Sequence, residues 1–100
     1  MHKDNLITEV VRQHIADNFK NTELGLVRIR KNLSLAAFTD SEVVKHCKMI
    51  ILSTPINEIE LKGKNYYVRS TKFSAVLTIN RSSLGIITAK KGSPNKTSRN

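Results

Sequence analysis

The stretch Thr39-Asp-Ser-Glu-Val-Val-Lys-His-Cys-Lys-Met-Ile-Ile-Leu-Ser-Thr-Pro55-Ile-Asn-Glu-Ile-Glu-Leu-Lys62 decides the fold, because the hydrophobic period changes within it. Thr39 stands three residues before Glu42, just ahead of an apolar run. This is a capping box, in which hydroxyl and carboxylate each satisfy an orphan N–H of the first turn. Val43, Val44, Cys47, Ile50 and Ile51 recur at helical spacing and predict the buried stripe of a helix. Pro55 has no N–H and biases Thr54 away from the helical region, so the helix must stop before it. From Glu58 the period is two. Glu58-Ile-Glu-Leu-Lys62 alternates strictly, as a half-buried strand does.

Working back from this stretch, residues 4–19 place Leu6, Ile7, Val10, Val11, Ile15 and Phe19 at a period near 3.6, which predicts an amphipathic helix with a partly buried His14 on the stripe's edge. Asn21-Thr22-Glu23 supplies an N-cap and an early acid, and Leu24, Val27 (or Leu26), Ile29 and Leu33 continue as a second helix. Its cations Arg28, Arg30 and Lys31 lie toward the C-terminal end, where they complement the helix dipole. Working forward, Asn65–Arg69, Ser74–Asn80 and Leu84–Lys90 read as three more strands. The links Lys62-Gly63-Lys64, Ser70-Thr71-Lys72 and Arg81-Ser82-Ser83 are short and polar, as between antiparallel neighbours. The expected architecture is α+β: two to three N-terminal helices packed on one face of a four-stranded antiparallel β-meander. One domain is expected over residues 1–90, followed by a flexible basic tail over 91–100.

Charge is segregated along the chain. Residues 1–60 balance their cations against all of the acids, so the net charge of +9 resides in residues 61–100, which contain no acid. Such a field attracts phosphates, and it points to RNA or another polyanion as partner. The single cysteine, Cys47, excludes an internal disulfide framework and, lying in an apolar stripe, reads as a packed small hydrophobe. No run approaches the roughly 18 apolar residues of a membrane span, and Met1-His-Lys-Asp-Asn precedes no signal-like apolar core. The expectation is no membrane partner and a cytoplasmic location.

If Ile59, Leu61, Tyr66, Val68, Leu77 and Ile79 face the helices, alternation turns Lys62, Asn65, Tyr67, Arg69, Thr78, Asn80 and Thr88 outward, with Lys64, Arg81 and Lys90 at the rims. Cations for phosphate, an aromatic ring for stacking, and amides and hydroxyls for base or ribose contacts suit RNA. The plain alternative is the solvated face that antiparallel sheets ordinarily have. His2, His14 and His46 have no ligand spacing, so no metal is expected, and His46 reads as a solvated helix position. The isolated glycines form no phosphate loop, so no cofactor is expected. Cleavage of RNA through its own 2′-hydroxyl needs only a proton acceptor, cations for the charged phosphorane and a proton donor. Tyr67, Arg69 and Lys90 are the catalytic candidates for that chemistry. Lys62, Lys64, Asn80, Arg81 and Thr88 are the nucleic-acid-binding candidates.

Four segments, Asn21-Thr-Glu-Leu-Gly-Leu-Val-Arg-Ile-Arg-Lys-Asn-Leu33, Gly63-Lys-Asn-Tyr-Tyr-Val68, Thr78-Ile-Asn80 and Ile86-Ile-Thr-Ala-Lys90, resemble a small bacterial family catalogued as domain of unknown function 3781. The resemblance covers about residues 20–90 and implies no activity. Some of the family carry a histidine just before the Thr-Glu-Leu-Gly motif, where this chain has Lys20-Asn21. The helices-then-meander order is similar to that of the barnase, colicin and RelE type of ribonuclease toxins, a likeness of fold order alone. It implies RNA cleavage on the exposed sheet face, restrained by an acidic inhibitor protein. The rival expectation is a non-catalytic module that binds nucleic acid or protein on the same sheet.

Overall fold

Among the described residues, each of the three α-helices opens on a threonine. Thr8 Oγ1 accepts from the Val11 N–H at 3.2 Å, Thr22 Oγ1 from the Gly25 N–H at 2.9 Å, and Thr39 Oγ1 from the Glu42 N–H at 3.2 Å. At Thr39 the box is reciprocal, with the Thr39 N–H donating to Glu42 Oε1 at 2.9 Å. The computed structural model describes residues 7–92. In it α1 spans Glu9–Asn18, α2 Glu23–Asn32 and α3 Asp40–Ser53. A 3-10 turn, Ile56–Glu58, follows Pro55, and the strands are β1 Ile59–Lys62, β2 Asn65–Ser70, β3 Ala75–Asn80 and β4 Ile86–Lys91. The first helix thus begins later than its apolar spacing suggests, because Thr8 stops it; residues 4–6 of the expected helix, and the tail beyond Gly92, lie outside the described residues. Lys91, expected in the tail, closes β4.

The sheet is antiparallel throughout, in the order β1-β2-β3-β4. Ile59, Val68, Ala75, Leu77, Ile79 and Ala89 turn to one face and join Ile15, Leu26, Ile29, Val43, Cys47, Ile50 and Ile51 in a single core. The α+β architecture expected from the sequence is therefore the one formed, with α2 against β4, α3 against β2 and α1 against α3.

Several helix positions turn out differently. Val10, Leu24 and Val27 are 78%, 59% and 51% exposed, while their neighbours Ala16, Leu26 and Ile29 carry the contacts. His14 is exposed rather than partly buried, near Asn18 on its own helix. His46 is not solvated. Its ring is half-buried between Phe38 and Phe73, edge-on to both, with centroids at 5.7 and 5.1 Å. Cys47 is fully buried, and that burial pushes its thiol up to about 12.

The two sheet edges differ. The link between α1 and α2 lies along β4, where the Lys20 N–H donates to the Leu84 carbonyl at 2.9 Å and the Ile86 N–H to the Lys20 carbonyl at 3.0 Å. Farther along, Asn32 Nδ2 donates to the Ala89 carbonyl at 3.0 Å. These contacts occupy backbone groups that an edge strand would otherwise offer to another chain. β1, at the other edge, is blunted by its length of four residues and by its alternating charges.

Candidate nucleic-acid interface

The face of the sheet turned away from the helices is organised by register. Residues paired directly across antiparallel strands share a face. Tyr67 therefore stands in one row with Glu60, Thr78 and Thr88. The row on one side is Arg69, Val76 and Lys90, and on the other Lys62, Asn65 and Asn80. Strand spacing and rise make this a patch of roughly 14 by 14 Å. The register between β3 and β4 shifts between Thr78 and Ile79, leaving Ile87 as an extra residue. This bulge lets the consecutive Ile86 and Ile87 be accommodated while Thr88 and Lys90 keep the outer face.

All eight site residues expected from the sequence thus lie on this face or at its rim, but they are not equivalent. The Arg69 guanidinium makes an ion pair with Glu60, Nη1 to Oε1 2.9 Å, and its Cζ lies 5.6 Å from the Tyr67 ring centroid. Lys90 is two strands from Arg69, about 10 Å away with Val76 between them. Lys64 and Arg81 sit in the two hairpin turns at the opposite end, drawn together by the Arg81 N–H donating to the Lys64 carbonyl at 2.8 Å. Lys62 closes that corner, roughly 20 Å from Lys90. Gly63 holds the first turn with a φ of 63°, a conformation that suits a residue without Cβ.

Asn80 builds its turn. Its Oδ1 accepts from the Ser82 N–H at 2.9 Å, the Ser83 N–H at 2.8 Å and the Ser83 hydroxyl at 3.2 Å. This is the Asx-type geometry that makes asparagine common in turns. The tight turn also forces the buried Leu84 to a φ of 61°.

Glu60 is the residue that sequence reasoning missed. The acid-free segment begins at Leu61, one residue after Glu60, so composition separates Glu60 from the strand partners it faces. The alternation Glu58-Ile-Glu-Leu-Lys62 already placed it beside Lys62 on the outer side. Its carboxylate, the Arg69 guanidinium and the Tyr67 phenol form one patch: an acceptor, a cation and a donor.

Other places carry less chemistry. A concavity of about 280 Å³ lined by Met49, Leu52, Ser53, Lys72 and Phe73 is apolar and borders α3, away from the outer sheet face. Among the described residues no group of His, Cys, Asp or Glu could hold a metal ion, and no helix is long and apolar enough to cross a membrane.

Among the described residues these features define a small α+β protein with one sheet face turned away from the helices and edged by cations. The chain belongs to the family described as Protein of unknown function (DUF3781), whose model matches residues 13–90. No curated protein and no solved structure matches it.

Proposed function

We propose that this protein binds single-stranded RNA across the outer face of its sheet. The observation that carries the proposal is the placement of Tyr67 in the middle row, between the Arg69–Lys90 end and the Lys62–Lys64–Arg81 end. A stacking ring flanked by cations on both sides is the arrangement by which single strands are held without sequence preference. Thr78, Thr88 and Asn65 supply hydroxyl and amide groups for ribose and base edges. An acidic inhibitor protein would read the same field.

A second reading, metal-independent endoribonuclease of toxin type, is favoured by the Glu60–Arg69–Tyr67 patch. There Glu60 would take the 2′-hydroxyl proton, Arg69 and Lys90 would balance charge on the phosphorane, and Tyr67 would donate to the leaving 5′-oxygen. The 2′-oxygen–phosphorus bond forms as the phosphorus–5′-oxygen bond breaks, leaving a 2′,3′-cyclic phosphate.

One experiment tests both. Purified protein is titrated into a labelled 2′-O-methyl oligouridine, which cannot be cleaved, and separately incubated with total RNA and a chelator. Binding that weakens steeply with salt supports the first reading; no binding at low salt refutes it. Discrete cyclic-phosphate ends establish the second, and intact RNA at saturating protein removes it.

A further inference from the structure

The even charge balance of residues 1–60 conceals an uncompensated cation beside the sheet. Arg30 pairs with Asp40, Lys48 with Asp17 at 3.7 Å, and Arg12 Nη1 donates to the Thr54 carbonyl at 2.9 Å. Arg28 is exposed and has no ion pair or side-chain hydrogen bond among the described residues. It lines a narrow crevice of about 50 Å³ between α2 and β4, whose polar members are Arg28, Asn32 and Thr88 and whose floor is the apolar Ile29, Ile86, Ile87 and Ala89. Thr88 is also the last member of the row that runs Tyr67–Thr78–Thr88 across the outer face. The crevice therefore begins where that row ends, about 10 Å from Tyr67. Its walls are fixed, because the Asn32 amide ties the end of α2 to the Ala89 carbonyl of β4.

We propose that the RNA path continues over the β4 edge to a phosphate subsite formed by Arg28, with the Thr88 hydroxyl at its mouth. The subsite rests on the sheet-binding reading and extends it to α2, in the charge-balanced part of the chain. A guanidinium offers a planar fork that matches phosphate oxygens. The crevice between a helix and a strand edge limits the approach to the thin backbone of a single strand.

The test is fluorescence anisotropy of the full chain with a labelled ten-nucleotide 2′-O-methyl oligouridine, measured from 50 to 200 mM salt. Each phosphate contact to a single strand contributes about 0.7 to the log–log salt slope. Arg28→Gln, which keeps much of the side-chain stem, is expected to bind more weakly at 50 mM salt. Its slope should be shallower by about 0.7, so that over this range it loses about 2.6-fold less affinity than the unaltered protein. Arg28→Lys should keep the slope, and Lys45→Gln, on the exposed side of α3, should leave it unchanged. If Arg28→Gln binds with the original affinity and slope, the subsite is wrong and the sheet reading stands. A slope change shared equally by Lys45→Gln would also overturn the subsite, since it would report only the overall field. Absence of binding by the unaltered protein would remove the sheet reading and the subsite with it.

Discussion

Replacing Glu60 by Gln separates binding from catalysis on one face. The carboxylate lies 2.9 Å from the Arg69 guanidinium and is about half exposed. A phosphate hydrogen-bonded to the other side of that guanidinium would sit about 6 Å from Glu60, taking a charge-assisted bond of ordinary length. Coulomb repulsion between the two anions in water is then about 0.7 kcal/mol. Screening leaves about 0.6 kcal/mol at 10 mM salt and about 0.3 kcal/mol at 150 mM. Glu60→Gln should therefore tighten RNA binding about 2.6-fold at the lower salt and about 1.7-fold at the higher. Folding stability should fall by no more than about 1 kcal/mol, since an exposed ion pair is worth little. Anisotropy with the uncleavable oligonucleotide gives the first quantity and urea unfolding the second. If Glu60 is also the proton acceptor, the same variant binds more tightly and cleaves no RNA. Affinity that is unchanged or weaker at 10 mM salt would refute the reasoning, because no phosphate would then lie beside Arg69.

Three further expectations concern the scaffold. Because burial raises the Cys47 thiol from 9.0 to about 12, its contribution to stability is complete below pH 9 and is lost as pH rises toward 12. Unfolding free energies of the unaltered protein, from urea titrations, should fall more steeply between pH 9 and 11 than those of Cys47→Ala, by a slope approaching about 1.4 kcal/mol per pH unit; parallel curves would show that the thiol is not held neutral. Asn80→Ala should cost about 1–2 kcal/mol by removing the acceptor of three turn hydrogen bonds, whereas Asn80→Asp should keep the turn but weaken RNA binding; equal stability of Asn80→Ala would show that the turn stands without them. Thr22→Ala should cost about 1 kcal/mol as a lost cap. Gly25→Ala should give no gain alone, because its new Cβ would come within 2.9 Å of Thr22 Oγ1, yet should stabilise the Thr22→Ala variant by up to about 1 kcal/mol; additive calorimetric midpoints would contradict this coupling.

What was legible in the sequence was local. The Thr39–Glu42 box, the stop before Pro55 and the alternation from Ile59 onward depend on neighbours a few residues apart, and all three are present in the fold. The choice of helix face was harder. Val10-Val11, Leu24-Gly-Leu26-Val27 and Val43-Val44 each offer adjacent apolar residues about 100° apart, so periodicity allows either to lead the stripe. Packing chose Leu26 over Leu24 and Val27, and Val43 over Val44. The environment of His46 was illegible for another reason: Phe38 and Phe73 come from two connectors distant in sequence and meet only in the fold. The outer face was readable strand by strand, but the Glu60–Arg69 pair depended on knowing which strands are neighbours and in what register.

The register also bears on why the cations are there. Charged residues on a solvated sheet face satisfy solubility just as well when signs are mixed, and mixed signs across strands add stability. This sheet does that once, with Arg69 and Glu60, and nowhere else on its outer rows. At the far corner a backbone hydrogen bond between two turns brings Lys64 and Arg81 together beside Lys62. Three cationic residues and no acid thus come from two adjacent turns and a strand end. Arg28 lies past the β4 edge, outside the acid-free segment, and is unpaired among the described residues. On the binding proposed above, cations at the two ends of the face and a ring in its middle row would suit an extended anion.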